Sequence, residues 1–408
     1  MVAVDAKRLD EGELQVIDTP EALDAAIARI AAGSGAIAVD TERAAGYRYS
    51  DRAYLVQLFR RGSGTLLIDP IPFSSLAQLG EVINSEPWVL HAATQDLPSL
   101  REIGLDPQEI FDTELASRLL GKARVGLGAV VEELLGIELA KAHSASDWSL
   151  RPLPDKWLVY AALDVELLLD VKDRLTIELR ETGKSEWASE EFADILKREL
   201  RPKREEPWRR LSGIHTIHRP RQLAVARELW LARDAFARET DTAPSRVVPD
   251  RALIAAVKAM PRTKQQLASL PSFTGTKSRA QLDLWWEAIE RGRTTDSLPE
   301  RQSRPKDAMP APRAWAQKRP EADARLKTAK PAVAARAQQL SLPTENLLTP
   351  AILRRVAWEP AGDSEAAIAE QLRALGARNW QCAITAPVIW DAFVASHQDV
   401  EKSVAQES

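Results

Sequence analysis

Cysteine is almost absent, with one residue, Cys382, in a chain of 408. An internal disulfide is therefore excluded, and a Cys/His structural zinc site lacks a second thiol. Long apolar runs are missing as well. No window approaches the roughly 18 consecutive apolar residues of a membrane span, and residues 1–8 lack the apolar core of a secretion signal. A cytoplasmic protein with no membrane partner is expected. Glycine and proline, at 18 and 25 residues, are too few for a collagen-like chain. At roughly 150 residues per domain the length suggests two or three domains.

Net charge is also small, at −4, which by itself speaks against a nucleic-acid partner. The average conceals an asymmetry. Residues 197–221 hold nine Lys/Arg, among them Arg204, Arg209 and Arg210, against three acids, and residues 301–340 hold ten against three. The two segments carry +6 and +7, leaving −17 for the remainder. Basic segments on an acidic body can contact phosphates while the total stays negative, although solvated linkers have the same composition.

The first 190 residues alternate strand-like and helix-like runs. Short apolar stretches at 36–39, 54–59, 65–68 and 88–90 predict strands. Helical spacing predicts helices over 97–103, 113–120, 127–135 and 155–179. The basic, Pro-punctuated segment 199–216 reads as a linker, followed by a helical region at 217–295, a Pro-rich linker at 296–320 and a final helical region at 321–400 before a short tail. With an offset of 99, Pro244, Ala252, Leu253, Val257 and Pro261 meet Pro343, Ala351, Ile352, Val356 and Pro360. This suggests two small helical domains of one type, the second degenerate.

Three acidic motifs carry chemistry. Asp40 and Glu42 end an apolar strand and lie on one face of it. Asp96 follows the strand at 88–90 in the first turn of a helix, where an acid also serves as an ordinary cap. Tyr160 and Asp164 are helical i,i+4 neighbours within a mostly apolar segment. Each has a bland reading alone. Together, four carboxylates in one α/β domain suit two hard divalent cations with oxygen ligands, a pair able to stabilise an in-line phosphoryl displacement. Asp112 is set aside, because Asp-Thr there makes a helix cap.

Residues 35–180 resemble the DEDD exonucleases, specifically the ribonuclease D family, in Ala38-Val-Asp-Thr-Glu42, His91-Ala-Ala-Thr-Gln-Asp-Leu97, Phe111-Asp-Thr-Glu-Leu-Ala116, Ser146-Asp-Trp-Ser-Leu-Arg-Pro-Leu153 and Tyr160-Ala-Ala-Leu-Asp-Val165. The resemblance implies an α/β ribonuclease H-like exonuclease domain over 1–198, a mixed sheet with flanking helices. It makes Asp40, Glu42, Asp96 and Asp164 ligands of two Mg²⁺ or Mn²⁺ ions, and gives Tyr160 the role of orienting the attacking water. Tyr160, four residues before Asp164, indicates the tyrosine subclass. Trp157 departs from the glutamine of many relatives, which touches packing rather than the metal set. Residues 217–292 resemble the HRDC helical domain, notably in Arg227-Glu-Leu-Trp-Leu-Ala-Arg-Asp234. The fold expected is thus the exonuclease domain followed by two small all-α HRDC-type domains.

The resemblance implies a 3′–5′ exoribonuclease that trims structured RNA such as tRNA precursors and releases nucleoside 5′-monophosphates, with no organic cofactor. The metal set alone would equally serve a DNA 3′ exonuclease, whereas a silent RNA-binding scaffold would be expected to have lost some of the five residues. Tyr47, Arg48 and Tyr49, on a loop after the first acid pair, are expected to stack on a terminal base. Lys122 and Arg124 are expected to line a substrate path, with Arg204, Arg209 and Arg210 gripping phosphates.

Overall fold

A computed structural model of the chain describes residues 14–139, 146–198, 205–273, 275–300 and 309–406. Six strands, β1 (Val16–Ile17), β2 (Ser34–Arg43), β3 (Ala53–Arg61), β4 (Gly64–Ile68), β5 (Pro87–Leu90) and β6 (Glu109–Asp112), form one mixed sheet in the order β1-β4-β3-β2-β5-β6. β2, β3 and β4 are antiparallel neighbours, while β1, β5 and β6 join in parallel. The predicted strands are all present, each longer than its apolar core, and β1 and β6 are additional.

Alternation along β2 sorts its residues between two layers. Ile37 and Val39 pack with Val56, Leu58, Trp88 and Leu90, under helices Pro20–Ala31, Ala77–Ile83 and Leu97–Arg101. The first of these starts at Thr19, whose hydroxyl accepts from Ala22 N, with Pro20 at a position where no amide hydrogen is needed. Ala38 packs on the opposite face with Val89, Val165, Leu168 and Leu169. The segment expected as one helix over 155–179 is two helices, Asp155–Glu166 and Leu168–Glu181, which meet at Leu167. The first lies across β2, β3 and β4, and the second across β2 and β5. The change of direction lets both keep apolar faces on a twisted sheet.

The middle helical unit has its own core, formed by helices Pro220–Glu239, Asp250–Ala259 and Leu282–Thr294 around Trp285 and Phe273. Trp208 and Leu211 are buried in that core, so the second half of the segment read as a linker packs into the helical unit. The last unit runs through Pro320–Gln339, Pro350–Trp358, Glu365–Ala374 and Asn379–Gln406. Both units open with a 20-residue helix that starts at a proline and is followed by a non-glycine residue at positive φ, Asp241 and Ser341. Trp315, in the Pro-rich segment, is fully buried and its indole N–H donates to the Pro310 carbonyl, so the chain joins the last unit earlier than its composition suggests. No described helix is long and apolar enough to cross a membrane.

Candidate active site

β2 brings Asp40 and Glu42 to its C-terminal end, and helix Asp155–Glu166 lays Asp164 over them. Carboxylate oxygens of these three residues all lie within 4.8 Å of one another. Asp96 completes the group. It stands at the N-terminus of helix Leu97–Arg101 but makes no side-chain cap bond, so the bland reading of this acid does not hold. Its Oδ1 instead accepts from Thr41 Oγ1 at 3.3 Å and faces the Arg43 guanidinium at 3.6 Å. Thr41 leaves the face of β2 opposite to Asp40 and Glu42, and the pairing of β2 with β3 shifts register between Glu42 and Arg43.

Burial sets the electrostatics. Glu42, Asp96 and Asp164 are each under a tenth exposed. Desolvation raises the Asp40 carboxyl from 3.8 to about 6. It raises Glu42 to about 10, with the charges of Asp40, Asp164 and Asp96 adding to the effect. Burial and the charge of Asp40 likewise hold Asp96 and Asp164 well above the ordinary range. Among the described residues Arg43 stands beside this group, its one positive charge set against four carboxyls. Such a set is costly in its ionised form unless cations enter it. The donor set, all hard carboxylate oxygen, suits divalent metal ions.

Tyr160 is hydrogen-bonded to Asp164, one helical turn on, and burial with the neighbouring carboxylates pushes its phenol above the ordinary range. A phenol raised in this way keeps its proton and suits hydrogen bonding rather than proton abstraction. Trp148 backs it at 6.5 Å between ring centroids, and Trp157 packs on Trp148 at 5.1 Å. The tryptophan at 157 thus contributes to the wall behind the tyrosine.

Asp112 caps helix Thr113–Leu119 through the amides of Glu114 and Leu115, as its sequence suggests. It also accepts from the amides of Ala92 and Ala93. Those amides belong to the turn that delivers Asp96, where Ala92 has φ +62. Sequence reasoning found the cap and missed the clamp. The local signal for the cap, Asp before Thr-Glu, says nothing of a partner 20 residues upstream.

The proposed RNA contacts are placed differently. Tyr47, Arg48 and Tyr49 face the middle helical unit: Arg246 stacks over the Tyr47 ring at 3.9 Å, Tyr49 Oη donates to Asp234, and Arg48 lies 4.0 Å from Asp241. The ammonium of Lys122 is held between Glu133 and Glu178, 2.9 Å from each. Arg124 is exposed and pairs with Glu132. Arg209 stacks on Trp208 and pairs with Glu206, leaving Arg210 as the exposed member of that pair of arginines. Arg204 lies outside the described residues.

Comparison with known proteins agrees with this geometry. Residues 14–180 match the 3′-5′ exonuclease family model, residues 222–289 the HRDC domain, and residues 308–393 the 3′ to 5′ exonuclease C-terminal domain. Ribonuclease D of Escherichia coli is 31% identical over 308 residues, covering 73% of this chain and 77% of the relative. Ribonuclease D of Pseudomonas paraeruginosa is 34% identical over 264 residues, covering 62% and 68%. A crystal structure of a Bifidobacterium adolescentis protein superposes with a TM-score of 0.85 at 36% identity, covering 94% of this chain and 97% of the other. The structure of Escherichia coli RNase D, an exoribonuclease involved in structured RNA processing, superposes with a TM-score of 0.67 at 26% identity, covering 94% and 99%. With a carboxylate cluster of this kind on a mixed sheet and an HRDC domain behind it, the chain belongs to the ribonuclease D family and is a 3′–5′ exoribonuclease.

Proposed function

We propose that the chain removes nucleotides one at a time from the 3′ ends of structured RNAs, tRNA precursors among them, in the cytoplasm. The observation that carries the chemical part is the convergence of Asp40, Glu42 and Asp164 within 4.8 Å, with Asp96 beside them, Asp40 half-buried and the other three buried. These four carboxylates would hold two Mg²⁺ or Mn²⁺ ions, and they fit them, since an all-oxygen set with so little cationic compensation needs added positive charge. When bound, such ions acidify water and neutralise charge on a reacting phosphate.

The chain's own residues do the rest. Tyr160, kept protonated and anchored to Asp164, orients the attacking water. Water oxygen adds to the terminal phosphodiester phosphorus as the bond to the 3′ oxygen of the preceding nucleotide breaks. That oxygen takes up a proton, and a nucleoside 5′-monophosphate leaves. The helical units would hold the RNA body through phosphates, with Arg210 exposed there and Arg124 exposed on the exonuclease domain for such contacts. We read residues 321–400 as a degenerate HRDC-like module, on the shared helix order and the matching turns at Asp241 and Ser341.

The test is an end-labelled tRNA precursor incubated with Mn²⁺ or EDTA, beside a matched DNA strand. Loss of single 3′ nucleotides with Mn²⁺ alone is expected. Metal-independent shortening, or preference for the DNA, would refute this reading.

A further inference from the structure

Gln57 lies in the middle of β3 and is wholly buried, and neither its Oε1 nor its Nε2 has a hydrogen-bond partner among the described residues. An unpartnered buried amide is costly and uncommon, and it calls for an explanation beyond packing. The strand register supplies one. Gln57 stands directly opposite Asp40 on the antiparallel β2–β3 pair. Residues opposed in this way project from the same face, with Cβ atoms roughly 5 Å apart. The other neighbours that the register gives this position are apolar: Leu55 and Phe59 along β3, and Leu67 across on β4. Helix Asp155–Glu166, which carries Asp164, covers the same three strands. On this patch of the sheet, the carboxylates of the Asp40 group are the natural acceptors for an amide donor.

We propose that Gln57 is a positioning residue of the metal site, whose Nε2–H holds the Asp40 carboxylate in its cation-binding orientation. The inference rests on the two-ion reading of Asp40, Glu42, Asp96 and Asp164. Groups that orient metal ligands from behind are worth roughly 10–100-fold in metal affinity or activity. A glutamine present only to fill space predicts the opposite pattern: an apolar residue of equal length would improve the fold and leave metal binding unchanged.

The experiment compares the full chain with Gln57→Met, Gln57→Leu and Asp40→Asn by calorimetric titration with Mn²⁺ and by thermal unfolding in EDTA. Gln57→Met and Gln57→Leu are expected to unfold in EDTA at or above the wild-type temperature. Their Mn²⁺ Kd should rise about tenfold, and the Mn²⁺ midpoint for RNA hydrolysis should move with it, at unchanged KM for RNA. Mn²⁺ affinity equal to wild type in either folded variant overturns the role of Gln57. Failure of the wild-type chain to take up Mn²⁺ overturns the metal reading itself, and Asp40→Asn, expected to bind weakly, separates the two outcomes.

Discussion

The hydroxyl of Tyr49 donates to Asp234 Oδ1 at 2.9 Å, across 185 residues of sequence. Tyr49 follows the Asp40/Glu42 pair by one loop, and Asp234 sits on the long helix of the HRDC domain. Arg238 also donates to the Tyr49 hydroxyl, at 3.1 Å, and Asp241 accepts from the amide of Tyr49 and the hydroxyl of Tyr54. The HRDC domain is thereby fixed to the loop beside the acid pair. Tyr49→Phe removes both bonds of the hydroxyl and should weaken docking by about 2 kcal/mol. KM for a structured RNA should rise, while hydrolysis of a two- or three-nucleotide substrate stays the same. Equal effects on both substrates would place Tyr49 in the chemistry instead.

Asp40→Asn should change activity and stability in opposite directions. Hydrolysis should fall by on the order of 10³, because the ligand that supports several kcal/mol of charge stabilisation is gone. At pH 8 without divalent ions, the variant should melt higher than wild type, since one buried charge is removed from beside Glu42, Asp96 and Asp164. Wild-type turnover by the variant, measured with added Mn²⁺, would remove Asp40 from the site.

His91 predicts a pH dependence of the fold. Its Nδ1 lies 2.8 Å from Thr113 Oγ1, and burial lowers its imidazole from 6.5 to about 4. Between those values the unfolded chain binds more protons than the folded one. Stability is therefore lost as pH falls through that window, by up to about 3 kcal/mol below pH 4. Asp40, raised from 3.8 to about 6, has the opposite sign and loses stability as pH rises through its own window. The two separate in a comparison of wild type with His91→Asn by urea unfolding from pH 4 to 7. The variant should gain on wild type toward the acid end, and parallel curves would reject the assignment.

Glu191 joins the exonuclease domain to the last helical unit. It accepts from Arg378 Nε at 2.6 Å and from Trp380 Nε1 at 3.0 Å, with Trp380 stacked on Trp187 at 4.7 Å. Burial raises the Glu191 carboxyl, against the pull of Arg378. Arg378→Met leaves a buried acid without its cation and should cost about 3 kcal/mol in denaturant unfolding. Adding Glu191→Met should restore much of that loss, and additive losses would refute a coupled pair.

The parts of the site legible in sequence are those governed by local periodicity. Asp40 and Glu42 share a strand face two residues apart, and Tyr160 and Asp164 share a helix face four apart. Asp96 was legible only through its company, because an acid at a helix start ordinarily caps it. What stayed hidden depends on distant partners. Lys122 looks solvent-bound beside Gly121, yet Glu178 draws it inward from 56 residues away. Tyr47 and Tyr49 follow an acid pair as a substrate loop would, but their partners Arg246 and Asp234 lie nearly 200 residues on. β1, with two residues, and β6, with an acid at each end, offer too little apolar alternation to read. The break at Leu167 is invisible because apolar residues continue through it.

The burial of Trp187 against Trp380 has a consequence for how the molecule unfolds. Apolar residues of the exonuclease domain and of the last helical unit belong to one continuous core, whereas the HRDC domain encloses a core of its own. The chain is therefore expected to unfold as two bodies rather than three, the larger assembled from its two ends with the smaller inserted between them. A chain cut after residue 300 would keep every carboxylate of the site. It would nevertheless expose Trp187 and the buried carboxyl of Glu191, so the last quarter of the sequence is part of what keeps the exonuclease domain folded.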